Sequence, residues 1–296
     1  MTSRYTDYNN WAWLYNETMG PEYSRPQLDF LSKHFLPQIP TGGHILDLCC
    51  GTGQLIGPLL SAGYQVTGLD GSEDMLNYAK QNSPNASYLA EDARTFNLPN
   101  QFAGVFSTSA SLNHIMSLAD LSKVFTRVYA ALCPDGLFAF DLNHPTQLER
   151  WWRSQPTEGE ISRHYAWMIT PHYDSQLSQG NFTVTIYQDT RKRASYTLLQ
   201  SLRQRLYRFL SHPRFIGLRL RLLQNLSKLE PKWEKKNLVY PVKGHNLSDV
   251  RNALYEAGFD DVVLTTIDGS SDIDSNHSAH FIAKKDIRKS AYKEER

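Results

Sequence analysis

The stretch HILDLCCGTG at residues 44–53 joins a short apolar run to a glycine turn, with a carboxylate, Asp47, near the junction. Ile45, Leu46 and Leu48 suit a strand buried on both faces. Gly51 and Gly53 remove side chains where the backbone must close on a ligand. Asp70 lies 17 residues beyond Gly53, at the end of a second apolar run over 64–69. A carboxylate roughly 20 residues past such a turn is where an open α/β sheet holds ribose hydroxyls. A dinucleotide site would want a third glycine at Ile56, and Gly57 comes one position late, which argues against nicotinamide chemistry. Farther on, Thr108-Ser109-Ala110-Ser111-Leu112-Asn113-His114 follows a fourth apolar run, and His114 is the titratable side chain of that cluster. Its ordinary pKa near ~6.5 suits a general base, and the alternative is a plain hydrogen-bonding role in the loop. Asp141, Asn143 and His144 end a fifth run, where they either face a ligand or serve turn chemistry before Pro145.

These groups need rigid elements beneath them. Tyr8, Trp11, Ala12 and Tyr15 recur at helical spacing, which predicts a helix over 5–20 docking an aromatic stripe. Residues 26–37 predict a second helix, with Pro26 in its first turn and Pro37 after its end. Ser72 ahead of Glu73 and Asp74 reads as the N-cap of a further helix. Strands are expected at 86–90, 103–107 and 137–145, and a helix at 119–132. Late in the chain a helix over Leu247–Ala257 is stopped by Gly258, with strands to follow at 261–267 and 279–284.

Asp47-Leu48-Cys49-Cys50-Gly51-Thr52-Gly53, with Gly68-Leu69-Asp70-Gly71-Ser72 and Met75-Leu76, resembles the class I S-adenosylmethionine-dependent methyltransferases of small molecules. The resemblance covers about residues 5–145 and 240–285. It implies an α/β fold: a doubly wound, Rossmann-like seven-stranded sheet with a late antiparallel edge and an inserted α+β cap. It also implies S-adenosylmethionine as cofactor, with Asp70 on the ribose and Asp92 beside Ala93 on the adenine. Asp47, Cys49, Gly51, Gly53, Gly71, Met75 and Ser109 would complete that site. In this family a Tyr-rich opening helix, then a Gly and another Tyr, lids the cofactor; here those positions are Tyr15, Gly20 and Tyr23. Arg25 would pair with the cofactor's carboxylate or simply face solvent. His114, as the group taking the acceptor's proton, would meet the acceptor together with Asn113 and Asn143. The chain departs from the family at Cys49, where a small residue is usual, at Asn16, where Asp is frequent, and at Asp135, commonly glycine. Methyl transfer to a nitrogen or oxygen of a small-molecule acceptor is the expected activity. The alternative is a regulatory or interaction protein that keeps the cofactor and has lost catalysis.

Composition narrows the remaining classes. With 41% hydrophobic and 21% charged residues the chain is not globally disordered. Cys49, Cys50 and Cys133 are too few and too poorly spaced for a disulfide scaffold, which fits a reducing cytoplasm. There is no metal-binding pattern of Cys and His, the polar opening MTSRYTDYNN is no signal peptide, and no apolar run is long enough to span a membrane. The expected organisation is a cofactor-binding core at 1–145 and 241–285, an inserted substrate cap at 146–240 and a flexible tail at 286–296. Within the insertion, 181–188 alternates like a half-buried strand, and in the resembling family such inserted strands roof the acceptor pocket. Residues 190–236 carry 13 Lys or Arg against Glu230 and Glu234 alone. Leu199, Leu202, Leu206 and Leu210 share a helical face there, while Pro213 and Pro231 limit each helix. Three readings stay open for this segment: a solvated lid, peripheral contact with an anionic membrane, or a grip on an anionic substrate or RNA. Nucleic acid ranks last, because no RNA-binding motif is present and the aromatics are not interleaved with the basic residues.

Overall fold

The apolar runs become strands whose order decides where a ligand can sit. The computed structural model describes residues 6–189 and 205–286. The strands of the first half are β1 His44–Leu48, β2 Gln65–Asp70, β3 Ser87–Ala90, β4 Phe102–Ser107 and β5 Leu132–Leu142. Those that follow are β6 Glu158–Ile161, β7 Tyr165–Asp174, β8 Gln179–Asp189, β9 Trp233–Lys243, β10 Val262–Thr265 and β11 Ala279–Lys284. The described chain divides into two compact units, residues 148–242 and the sequence on either side of them.

In the first unit seven strands make one sheet in the order β3-β2-β1-β4-β5-β11-β10. β1, β2, β3, β4 and β5 pair in parallel, and β11 runs antiparallel to both β5 and β10. Chain order reverses between β1 and β4, so their carboxyl ends diverge and leave a crevice, the place where open α/β sheets bind ligands. One sheet face packs Phe138, Phe140 and Phe281 under helices, with the rings of Phe140 and Phe281 stacked at 4.7 Å. The other packs Phe30, Phe35, Ile45 and Phe106.

The helices of this unit are α1 Thr6–Asn9, α2 Ala12–Glu17, α3 Met19–Phe30, α4 Ile56–Ser61, α5 Glu73–Asn82 and α6 Leu118–Ala131, with α7 Pro145–Trp151 at the junction and a late one at Leu247–Ala257. In α6, Leu121, Val124, Phe125 and Val128 give the buried stripe of an amphipathic helix, and Ser117 caps it by accepting the Asp120 N–H at 3.1 Å. Gly258, at φ +111°, supplies the left-handed stop after residue 257.

Three expectations are corrected here. The opening helix is broken into α1 and α2, and it ends at Thr18, whose Oγ1 donates to Leu14 O, before α3 starts at once with Met19. Pro26 therefore stands inside α3 rather than in a first turn. Its ring deprives the Glu22 carbonyl of a donor, and both residues are exposed to solvent. The segment after α3 continues as a π turn, Leu31–Phe35, and a 3-10 turn, Leu36–Gln38. β5 begins at Leu132, five residues earlier than its apolar core, and a register shift against β4 absorbs Asp135 at φ +60°.

The second unit is a four-stranded sheet in the order β6-β7-β8-β9, with β6–β7 and β7–β8 antiparallel. Tyr187 and Trp233 from the sheet pack with Tyr207, Leu223 and Leu226. The expectation of helix over 190–236 is met in part. Residues 205–210, Ile216–Gln224 and Leu226–Leu229 are helical, but from Trp233 onward the chain is strand, since Pro231 ends the helix and Trp233, Tyr240 and Val242 bury in β9. Leu199, Leu202 and Arg203 lie outside the described residues, as do 287–296 of the expected tail.

Candidate functional site

At the carboxyl end of β1 the backbone turns through three residues with left-handed φ: Cys49 at 63°, Gly51 at 52° and Gly53 at 70°. Gly53 must be glycine, because a Cβ there would stand 3.0 Å from Ala79 Cβ on α5. Cys49 takes this conformation with a side chain, at a cost of roughly 1–2 kcal/mol. The turn is fixed from β2. Asp70 Oδ2 accepts the Gly51 N–H at 2.9 Å, and Oδ1 accepts the Ser72 N–H at 2.8 Å. Burial raises the Asp70 pKa, and the N–H groups of Ser72, Gly51 and Gly71 oppose that rise. Asp47 is buried beside it, and burial plus the Asp70 charge hold its carboxyl well above the usual range.

Tyr15 covers this pair of carboxylates. Its phenol is pushed up by burial and by the charges of Asp70 and Asp47, and it packs edge-on against Trp11. Gly20 is small because Tyr15 Cε1 lies 3.1 Å from where its Cβ would be. Asn16 fastens the N-terminal helices: its Oδ1 accepts from Gln54 Nε2 at 3.1 Å and from Asn82 Nδ2 at 2.7 Å. Asn82 Nδ2 also donates to Thr52 O at 2.8 Å, and Ser72 Oγ donates to Asn9 Oδ1 at 2.6 Å while accepting the Met75 N–H. α1 and α2 thus pack onto α5, across the side where Asp70, Gly71 and Met75 lie.

What remains open is a narrow cleft between the glycine turn, α2–α3 and the loop after β4. Of the expected site residues, Tyr15, Asp47, Cys49, Gly51 and Ser109 line it. Gly53, Asp70, Gly71 and Met75 support it from behind through the bonds just described. Ser24, Gln54 and Leu55 line it without having been foreseen, whereas Thr108 and Ser111 belong to the polar cluster singled out after the fourth apolar run. Ser24 stands one helical turn after Gly20, a spacing that would have pointed to it. On α3 it is Gly20 and Ser24 that line the cleft, and neither Tyr23, half-buried, nor Arg25, exposed, does so. Asp92 turns its carboxylate onto Arg94, with Nη2 at 2.6 Å and the backbone N–H at 2.9 Å, and neither it nor the buried Ala93 reaches the cleft.

The loop after β4 is strained and held. Ser109 and Ala110 both have left-handed φ, 60° and 56°. Asp141 Oδ2 accepts the Ala110 N–H at 3.0 Å, and this carboxyl, buried on all sides, is pushed up to about 7, opposed by the N–H groups of Ala110 and Ser109. Asn113 is spent on the backbone rather than on an acceptor: it donates to Asn143 O and Lys243 O at 2.8 and 2.7 Å and accepts the Asn143 N–H at 2.9 Å. His144 is similarly engaged, with Nε2 between the carbonyls of Asp274 and His277 and Nδ1 at 2.9 Å from the Thr146 hydroxyl. His114 ends the short helical turn Ser111–His114, half-buried and edge-on to Tyr8 at 5.6 Å. It stands beyond the cleft lining, three residues from Ser111.

The residues present fit a cationic nucleoside cofactor. Two carboxylates meet under Tyr15, and among the described residues no Lys or Arg is ion-paired with either. A sulfonium or ammonium group suits that field. No group of three His, Cys, Asp or Glu that could hold a metal occurs among the described residues, and no helix there is long and apolar enough to cross a membrane.

Residues 45–136 match the family described as "Methyltransferase domain". An uncharacterized methyltransferase of Synechocystis sp. (strain PCC 6803) is 35% identical over 148 residues, 49% of this chain and 69% of that protein. The dTDP-3-amino-3,6-dideoxy-alpha-D-glucopyranose N,N-dimethyltransferase of Streptomyces fradiae is 30% identical over 139 residues, 47% of this chain and 51% of that one. The chain spans 55% of a relative from Bacillus subtilis (strain 168), so of several curated relatives it matches little more than half the length. A solved S-adenosylmethionine-dependent methyltransferase from Clostridium acetobutylicum superposes with a TM-score of 0.67 over 94% of this chain and 99% of that one, at 15% identity, a likeness of fold.

Proposed function

The chain belongs to the class I S-adenosylmethionine-dependent methyltransferases, and we propose that it methylates a nitrogen or oxygen of a small polar acceptor, an amine nitrogen foremost. The observation that carries this reading is the pair Asp47 and Asp70 beneath Tyr15 at the glycine turn. The preference for nitrogen rests on the relative named for N,N-dimethylation of an amino sugar. When bound, S-adenosylmethionine supplies an activated methyl on a sulfonium, so the protein need only align and desolvate. Asp70 accepts from the ribose hydroxyls with the capacity its two backbone donors leave. Asp47 and the phenol of Tyr15 bind the positive end. The amides of the turn at 51–53 admit close approach, since no side chain projects from Gly51. Ser109, Thr108 and Ser111 orient what lies on the far wall of the cleft. His114, beyond that wall, takes the proton from the acceptor nitrogen or oxygen.

The test has two parts. Calorimetry with S-adenosylmethionine and S-adenosylhomocysteine should give saturable binding. A panel of amines, amino sugars and hydroxy acids should then be screened for S-adenosylhomocysteine release. Turnover on an amine supports the proposal; tight binding without turnover on any acceptor supports the reading of a binding protein that has lost catalysis.

A further inference from the structure

Five of the eleven exposed large apolar residues among the described residues lie where the positive charge of this chain gathers. Residues 190–229 contain 10 Lys or Arg and no Asp or Glu, while the other 256 residues contain 21 basic and 30 acidic ones. Within that segment Leu206 is 48% exposed, Phe209 59%, Ile216 43% and Leu218 55%, whereas the exposed large apolar residues elsewhere, such as Leu118, Leu177 and Val263, are dispersed along the chain. The geometry keeps them together. Leu206 and Phe209 lie one turn apart on the helical stretch 205–210, beside rather than under the buried Tyr207 and Leu210. Phe209 packs on Phe215 with ring centroids 4.4 Å apart, which ties that stretch to the residues leading into Ile216 and Leu218. Arg219 Nη1 donates to the carbonyls of Leu210 and Ser211 at 2.9 and 3.0 Å, fixing the corner between the two helices. Arg205, Arg208, Arg214, Arg221 and Lys228 are exposed around these apolar residues, and no ion pair among the described residues involves them.

We infer that residues 205–229 form a docking surface for an anionic lipid membrane, with Leu206, Phe209, Ile216 and Leu218 entering the headgroup boundary and the basic residues pairing with lipid phosphates. Charge complementarity selects this partner. A patch without a single acid attracts a negative surface, and each Lys or Arg close to anionic lipid raises binding about five-fold. The apolar residues separate lipid from nucleic acid. Single strands are gripped by stacking bases on aromatic planes, whereas Leu206, Ile216 and Leu218 are aliphatic and gain from the acyl boundary. The inference is independent of the methyl acceptor.

The full-length protein would be sedimented with vesicles of phosphatidylglycerol and phosphatidylcholine, and with phosphatidylcholine alone, at low and high salt. Two triple variants accompany it, Arg205→Gln/Arg208→Gln/Arg214→Gln and Leu206→Ser/Ile216→Ser/Leu218→Ser. Val263→Ser, which removes an exposed apolar residue 46% accessible on the first unit, is the control. Circular dichroism melts establish that each is folded. The expected result is salt-sensitive binding to anionic vesicles alone, reduced at least ten-fold by either triple variant and unchanged by the control. Absence of binding, equal binding to neutral vesicles, or an apolar triple variant that binds like the parent would overturn the inference. So would tighter binding to polyuridylate than to vesicles. Concentration-dependent self-association abolished by the same variants would assign the patch to a second copy of the chain instead.

Discussion

Asp141→Asn separates what a buried carboxylate costs the fold from what it does for the cleft. Asp141 is 3% exposed and its pKa is pushed up from 3.8 to about 7 by burial. The folded state therefore binds the proton more tightly than the unfolded chain. Its contribution is fully favourable below pH 3.8 and is lost progressively as the pH rises to about 7, after which the ionised, buried carboxylate is a constant cost. Worked through those two values, the parent protein should lose about 2 to 3 kcal/mol between pH 5 and pH 8 that the asparagine variant does not lose. His280 stands directly across from Asp141 in the β5–β11 register, but burial holds its folded pKa down at about 4, so in the folded state it stays neutral over this window. The amide oxygen of Asn can still accept the Ala110 N–H, yet a neutral acceptor holds it less tightly than a carboxylate. Ser109 and Ala110 in left-handed backbone should then relax, and affinity for S-adenosylmethionine should fall about three- to ten-fold at pH 8. Urea unfolding across the pH range gives the first quantity and calorimetry the second. Parallel stability curves for the two proteins would refute the linkage argument, and unchanged cofactor affinity would refute the positioning role of Asp141.

Three further outcomes are expected. Asp70→Ala removes both backbone-held oxygens at the glycine turn and should weaken S-adenosylmethionine binding about ten- to a hundred-fold, since hydrogen bonds to a charged group contribute roughly 1.5–3 kcal/mol; calorimetry on the folded variant checks it. His114→Ala should lower turnover by about 10²–10⁴ with little effect on cofactor affinity, as befits a general base beyond the cofactor cleft, and a change near two-fold would reduce His114 to a structural residue of the loop. His280→Gln tests acid lability. With a folded pKa near 4 against 6.5 unfolded, the parent keeps this stability above pH 6.5 and should lose about 2 kcal/mol between pH 7 and pH 5 that the variant retains, read from urea midpoints.

The sheet was legible because its strands are continuous apolar runs with glycine or acidic punctuation, and β1, β2, β3 and β4 fall within a residue or two of expectation. Their parallel pairing and the reversal between β1 and β4 follow from the resemblance at 47–53 and 68–72, which names a fold whose strand order is fixed. Asp47, Cys49 and Gly51 were likewise legible as cleft residues, because a turn that narrow leaves few positions facing a ligand. The sequence could not say how polar side chains are spent. Asn113 reads as an acceptor ligand until Asn143 and Lys243, 30 and 130 residues away, claim its amide. Asp92 reads as an adenine ligand, but the Arg94 side chain folds back onto it. Asn16, a departure by sequence, proves to be the bond between the N-terminal helices, the glycine turn and α5. A hydrogen bond forms over about 3 Å and is indifferent to separation along the chain. Periodicity reports which face a residue occupies, whereas only the folded chain decides which distant carbonyl or carboxylate reaches it there.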